Sequence, residues 1–414
     1  MGEVPKITDL NKVIEPHLPE GSKLVSYESS YLTKPGEHYG SLMLAIKAQI
    51  KKSDNTTEEL PIIAKLPPLT NDLYWQIFQP ERTCVTENSV YKYLSAELDK
   101  LQLEAGLLPT ELFDGLPRYY GSRISLQEDA KKVDRDAVLL AENLTVRGYR
   151  PGNRHKPYDL AHTVLILNYL AQYHALPIAL RLKKPQIYDQ LVRPYFRKFD
   201  MNSNIPEAQN HIMNEETLAD IKAVSDDNES DVKRVEELLK IYAEFQAGED
   251  VEDGPFNTLV HGDLWINNLM IKYNDEGIPS KLKFVDFQIC QYESLIHDII
   301  FLLFSSVENE VLEANYYNFL KIYYKAFIKC LNSVEVDTSN YSFDAFQAEV
   351  QKKAHIQVPH AVFMMKVVMA DSSTIPDDYK DVDMSVLSKN RGSKTIIKKL
   401  AEILRLAKKF NIFE

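Results

Sequence analysis

From Leu259 the chain reads Leu-Val-His-Gly-Asp-Leu-Trp-Ile-Asn-Asn, which contains the pattern H-x-D-x-x-x-x-N at His261, Asp263 and Asn268. An Asp on a loop can accept the proton of a hydroxyl that attacks a terminal phosphate. An Asn five residues later can turn back and offer its side-chain oxygen to Mg2+. Phosphoryl transfer needs this positioning and charge neutralisation more than it needs covalent chemistry. His261 is read as a hydrogen-bonded brace for the loop, with no proton transfer assigned to it. Eighteen residues after Asn268, Phe284-Val285-Asp286-Phe287-Gln288 sets a carboxylate at the end of an apolar strand. Mg2+ takes one or two carboxylates plus phosphate oxygens, so Asn268 and Asp286 form the expected metal pair. Each piece alone has a plainer reading. H-x-D is also a turn with Asp as a cap, and V-D-F is also a strand that ends in a turn former. In order, on a loop and a hairpin, the two point to a kinase-type site.

The first third of the chain supplies the complement. Lys65 closes Ile62-Ile63-Ala64-Lys65, an apolar strand with one cation. That suits a lysine holding the α- and β-phosphates; a solvated strand-end lysine is the alternative. Glu87 falls on the next helix and can pair with Lys65, or be an ordinary exposed helix residue. The stretch Gly36-Glu37-His38-Tyr39-Gly40-Ser41 lies between two strands and can cover the phosphates, with Ser41 adding a hydroxyl and a backbone N–H. A plain hairpin turn competes with that reading. Ala141-Glu142-Asn143-Leu144 follows a strand, and a hinge there would offer backbone groups around Glu142 and Leu144 to adenine.

These residues need elements to position them. Residues 1–22 read as a short capped helix and a Pro-rich turn. Leu42, Leu44 and Ile46 alternate with Met43, Ala45 and Lys47, a strand pattern. A second strand at 61–66 follows a polar turn at 53–59. The period becomes helical over 82–101. Strands return at 118–124 and 137–140, joined by a charged hairpin at 127–136. After Pro157 the chain turns mostly helical. Leu160, Val164, Leu167 and Ala171 sit at helical spacing with Asp159 as N-cap, and Ser230 is placed to cap a second helix. Within this half, 269–273 and 282–287 are short apolar segments joined by the Asp, Gly and Pro of 274–279, a β-hairpin. Helices resume near Ile296. The expectation is a bilobal α+β protein. Its N-terminal lobe is 1–142 and its helical C-terminal lobe is 143–414, divided where Gly148, Pro151 and Gly152 break the pattern.

The 414 residues are 44% apolar and 26% charged, a globular balance, and the net charge is −12. That charge argues against a general nucleic-acid or anionic-membrane binder. Cys84, Cys290 and Cys330 are far apart and odd in number, so a reducing compartment is expected. The N-terminus has no apolar signal core, and no run of about 18 apolar residues stands out. The sequons at Asn55 and Asn143 are therefore read as chance, and the cytosol as the address. No protein partner is inferred.

The chain resembles the ecdysteroid kinase-like proteins, a branch of the choline kinase and aminoglycoside phosphotransferase group. The resemblance rests on His261-Gly262-Asp263-Leu264-Trp265 with Asn267-Asn268, on Asp286-Phe287-Gln288, and on Asp298 twelve residues later. It extends to Glu142-Asn143-Leu144 and to Leu170-Ala171-Gln172-Tyr173-His174-Ala175. It implies a protein-kinase-like fold, ATP as donor, Asp263 as catalytic base and Asn268 and Asp286 as Mg2+ ligands. It also implies Lys65 and Glu87 as the phosphate-binding pair, and Asp298 as a brace for the catalytic loop from a helix start; a helix N-cap is the plainer reading of Asp298, and the two are compatible. Gln288 stands where protein kinases have Gly, and no A-P-E segment follows, so a protein substrate is not expected. The implied acceptor is a small-molecule alcohol, an ecdysteroid or a similar lipophilic metabolite. Its pocket is expected around 371–389 and 316–324. A choline or ethanolamine kinase and a non-catalytic nucleotide- or steroid-binding pseudokinase are the rival readings.

Overall fold

Alternation decides the first sheet. Leu44, Ile46, Ala48 and Ile50 are all buried, while the residues between them are not. Ile62, Ala64 and Leu66 repeat the pattern on the next strand. The computed structural model describes residues 4–32, 41–69, 72–198, 207–224, 228–247, 253–368 and 394–412. Helix α1 (Leu10–Ile14) packs on a five-stranded antiparallel sheet of β1 (Lys23–Tyr31), β2 (Leu42–Lys51), β3 (Thr57–Leu66), β4 (Tyr119–Arg123) and β5 (Val138–Glu142), in the order β1-β2-β3-β5-β4. Strand β3 begins at Thr57 and not at Pro61. The turn before it is tighter than expected because the Lys52 N–H donates to Thr56 O and Asp54 caps Thr56. Lys65 pairs with Met43 on one side and Leu139 on the other, so it is central in the sheet.

Between β3 and β4 run α2 (Asp72–Phe78), α3 (Pro80–Ser89), a π-helical turn at Val90–Leu94, and α4 (Ser95–Glu104). Val90, Tyr91, Leu94 and Leu98 from this stretch join the second core, not that of the sheet. The second half contains β6 (Arg150–Pro151), α5 (Leu160–Lys183), α6 (Pro185–Ile187), α7 (Glu207–Val224), α8 (Asn228–Ala247), β7 (Asn257–Val260), β8 (Leu269–Tyr273), β9 (Pro279–Phe284), β10 (Gln291–Ser294), α9 (Ile296–Ser306), α10 (Asn309–Ser333), α11 (Phe343–Val368) and α12 (Lys394–Lys409). Asp159 caps α5 as expected, its Oδ1 accepting from the His162 N–H at 3.0 Å. Ser230 is no cap: α8 starts at Asn228, so Ser230 lies inside its first turn. The expected hairpin forms, but its second strand starts at Pro279 and ends at Phe284, not over 282–287, and β6 extends it to three strands. The pairing of β7 with β10 was not expected; Gln291-Tyr292-Glu293-Ser294 has no apolar alternation to announce a strand.

Helix α5 is long and apolar enough to cross a membrane, which the sequence reading did not find. It is 72% buried inside the protein over that stretch, where Leu167, Leu170 and Ala171 sit in the second core. All three cysteines are free, and burial pushes each thiol up to about 12.

Candidate active site

The loop after β7 carries His261 to Leu264, and a 3-10 turn at Ile266–Asn268 leads into β8. The spacing of five residues between Asp263 and Asn268 is spent on this turn. It returns the Asn268 amide to Asp263, with Nδ2 at 2.7 Å from the backbone O and 3.1 Å from Oδ2. Both Asn268 donations face Asp263, which leaves the amide oxygen for a cation. Trp265 Nε1 donates to the same Oδ2 at 3.2 Å. Asp263 Oδ1 is buried and has no partner among the described residues. Burial first, then the charge of Asp286, pushes the Asp263 carboxyl up to about 7, close to where a general base at neutral pH works well.

The loop is held from beneath. Asp298 Oδ2 accepts the His261 N–H at 2.6 Å, and Oδ1 accepts the Gly262 N–H at 3.0 Å. Asp298 is the third residue of α9, with Leu295 at the cap position, and its carboxylate serves the loop; the helix-cap reading is set aside. His174 Nε2 meets Asp298 at 3.0 Å, and its Nδ1 meets the Tyr323 hydroxyl at 2.7 Å. Burial opposes the Asp298 charge, but the hydrogen bond to His174, together with the neighbouring His297 and His261, outweighs it and holds the carboxyl down at about 2. Gly262 has φ +84°, and a Cβ there would lie 2.5 Å from Ile289 O, so glycine is required. His261 Nδ1 accepts from the Asp263 N–H at 3.4 Å, and Nε2 donates to Val285 O at 3.0 Å. That pattern fits a neutral ring, consistent with burial lowering its pKa. His261 thus links the Asp263 N–H to the Val285 carbonyl.

The hairpin closes on the same point. Val285 N–H donates to Asn268 O at 3.0 Å, which brings Asp286 beside Asn268. Asp286 has φ +68°, a left-handed backbone that costs an L-residue energy. Lys65 reaches across from β3 to Asp286 Oδ1 at 2.8 Å and to Glu87 Oε2 at 2.7 Å. Burial alone would depress the Lys65 ammonium, but the two carboxylates outweigh it and raise its pKa. Glu87 Oε1 also accepts the Phe287 N–H at 3.3 Å, so α3 is fastened to the residue after Asp286. Ser41 lines the same cleft as Lys65, Cys84, Glu87, Leu139 and Gln288. Gly40 lies outside the described residues.

At the expected hinge the Glu142 N–H is taken by Arg118 O at 2.9 Å, and its carboxylate pairs with Arg147 at 3.3 Å. Leu144 is buried, and its carbonyl accepts from Arg147 and Tyr149, each at 3.0 Å. The expected acceptor segments fare differently. Residues 371–389 lie outside the described residues. In the other segment, Tyr316 stacks on Phe410 at 4.1 Å, and Tyr323 is buried against His174.

Sequence reasoning missed Arg82, whose guanidinium donates to Gln288 O at 2.7 Å, to Cys290 O at 2.9 Å and to Arg197 O. Backbone carbonyls leave no trace in residue types, so no signal announced it. His174 stood in a familiar stretch without a role. Trp265 served only as a marker of the branch.

Among the described residues no three His, Cys, Asp or Glu side chains form a ready metal cage. Mg2+ does not require one, since it takes most of its ligands from phosphate and water. The hard oxygens of Asn268 and Asp286 fit it.

An amicoumacin kinase solved with AMP-PNP, Ca2+ and Ami is similar at 14% identity over 91% of this chain and 90% of that one, with a TM-score of 0.39. An ethanolamine kinase from Plasmodium vivax is similar at 13% identity, covering 94% and 84%, with a TM-score of 0.37. A spectinomycin phosphotransferase solved with ADP and spectinomycin matches at 10% identity over 93% of each chain, TM-score 0.41. Likenesses this distant carry no argument about substrate. No curated protein matches by sequence. The profile of the ecdysteroid kinase-like family covers residues 35–336. With that match over most of its length, the chain belongs to the ecdysteroid kinase-like family, as a small-molecule phosphotransferase of bilobal α+β fold that acts on hydroxyl groups.

Proposed function

We propose that the protein transfers the γ-phosphate of ATP to a hydroxyl of an ecdysteroid or a similar lipophilic hydroxylated metabolite. One observation carries the catalytic part: Asp263 presents a buried, unpartnered carboxylate oxygen beside Asn268 and Asp286. The acceptor hydroxyl passes its proton to that Oδ1. Its oxygen bonds to the γ-phosphorus as the bond to the β-γ bridging oxygen breaks, and ADP leaves. Lys65, oriented by Glu87, binds the α- and β-phosphates. Asn268 and Asp286 would hold Mg2+, which when bound neutralises phosphate charge. Ser41 meets the phosphates, and the Leu144 N–H serves adenine. The lobes divide at 142/143, and the site of action is the cytoplasm. The steroid class rests on the family and on the D-L-W-x-N-N and D-F-Q patterns.

The test is a panel of sterols, amino alcohols and sugars incubated with Mg-ATP and read by mass spectrometry. At least one hydroxylated steroid gains a phosphate, and Asp263→Asn abolishes turnover while calorimetry still registers Mg-ATP. Phosphorylation of choline or ethanolamine in place of steroids overturns the acceptor class. Mg-ATP binding without turnover across the panel marks a scaffold, and absence of binding sinks the kinase reading.

A further inference from the structure

Two donors of different chemistry hold Asp263 Oδ2. Asn268 Nδ2 lies at 3.1 Å and Trp265 Nε1 at 3.2 Å. The Asn268 amide is shared with the Asp263 backbone carbonyl at 2.7 Å, and its oxygen is the group read as a cation ligand. Trp265 has a single polar side-chain atom, a donor with no acceptor capacity, so it cannot serve a cation. Its ring is half-buried and packs on the second core, which fixes the direction of its N–H. The backbone ties in too: the Trp265 N–H donates to Asp263 O at 3.1 Å, and Trp265 O accepts the Asn268 N–H at 2.9 Å. Oδ1, by contrast, is buried without a partner among the described residues.

We propose that Trp265 is a positioning residue whose indole N–H occupies Asp263 Oδ2, so that Oδ1 alone meets the acceptor hydroxyl. The inference rests on reading Asp263 as the base. A carboxylate held by one shared amide can turn about its Cβ–Cγ bond and offer either oxygen in either direction. The indole, anchored in the core, removes that freedom. Pre-aimed groups of this kind act on the chemical step more than on ground-state binding.

The chain has two tryptophans, so a 15N spectrum of the full-length protein shows two indole N–H signals, and Trp265→Phe assigns them. The other, Trp75, donates to exposed Glu81 at 3.3 Å and serves as the internal control. In Asp263→Ala the Trp265 signal moves upfield and exchanges faster with solvent, while that of Trp75 stays. An unmoved Trp265 signal overturns the proposal without any use of activity. With the alcohol found by the panel as acceptor, Trp265→Phe lowers kcat about tenfold and leaves the KM for Mg-ATP unchanged. Trp265→Gln, which restores an N–H donor on a smaller side chain, recovers most of that loss. A Gln variant as slow as the Phe variant, or a loss carried by KM, overturns the donor role. If the wild type phosphorylates no alcohol, the functional reading fails while the indole signals still decide the bond.

Discussion

Asp298 lies under the loop after β7 with no solvent exposure, and its two oxygens serve two consecutive loop amides and His174. Removing its charge strands those donors. Asp298→Asn is expected to cost about 3 kcal/mol in urea unfolding at pH 7. The carboxyl sits at about 2 in the folded protein against an ordinary 3.8. The stability it contributes is therefore present above about pH 4 and is lost as pH falls from there towards 2. His360 acts in a higher window. Burial, then the neighbouring His297, lowers it from 6.5 to about 3. Below about pH 6.5 the unfolded chain takes up a proton that the buried ring refuses, so stability declines as pH falls through that window. His360→Gln should flatten the decline between pH 7 and 5 in a series of urea melts; an unchanged slope would discount the ring. At this scale the sequence was legible wherever chemistry demands one residue type at one spacing. Asp263, Asn268, Asp286 and Lys65 are such cases, and the structure brings all four together. It was opaque for Arg82 and Tyr323, because a guanidinium on carbonyls or a phenol under a histidine looks like any other core or surface residue until the chain is folded.

At the scale of elements, the site depends on how α3 and the segment after Asp286 are fastened. Two ties join them: Glu87 to the Phe287 N–H, and Arg82 to the carbonyls of Gln288 and Cys290. Between α3 and α4 the helix widens into a π turn, and Tyr91 within it meets Phe287 edge to face at 5.8 Å. Such turns often mark functional positions. Arg82→Ala should weaken Mg-ATP binding severalfold by calorimetry, since Glu87 loses its fixed approach to Lys65. Arg82→Lys should rescue it only in part, because an ammonium cannot span carbonyls that a planar fork reaches together. Gly262→Ala tests the loop. A Cβ at φ +84° against Ile289 O should cost about 2 kcal/mol and remove activity, with circular dichroism unchanged. The hairpin was readable from its turn residues and apolar strands. The β7–β10 pair was not, because its pattern is set by partners distant in the chain.

For the whole molecule, the two cores are separate, one under the sheet with α1 and one through the helices. Lys65 belongs to the sheet and Asp286 to the hairpin, so their ion pair is a polar bridge between the parts. Its Glu87 partner is only 5% exposed. Lys65→Met leaves two carboxylates facing each other without a cation. The variant should lose about 3 kcal/mol of stability in urea and fail to bind Mg-ATP. Preserved binding would remove Lys65 from the phosphate site. The bilobal α+β class was visible in the change of period along the chain, whereas the helical stretch at 90–98 joins the second core through contacts that no local pattern encodes.

The left-handed backbone at Asp286 has one more consequence. Glycine would occupy that conformation with less strain, yet under the proposed reading the carboxylate is indispensable. Asp286→Gly should therefore be more stable than Asp286→Ala by about 1 kcal/mol, although both are inactive. The position is a local trade-off between folding and reactivity: a variant selected for thermal tolerance alone would drift towards glycine there and lose turnover in doing so.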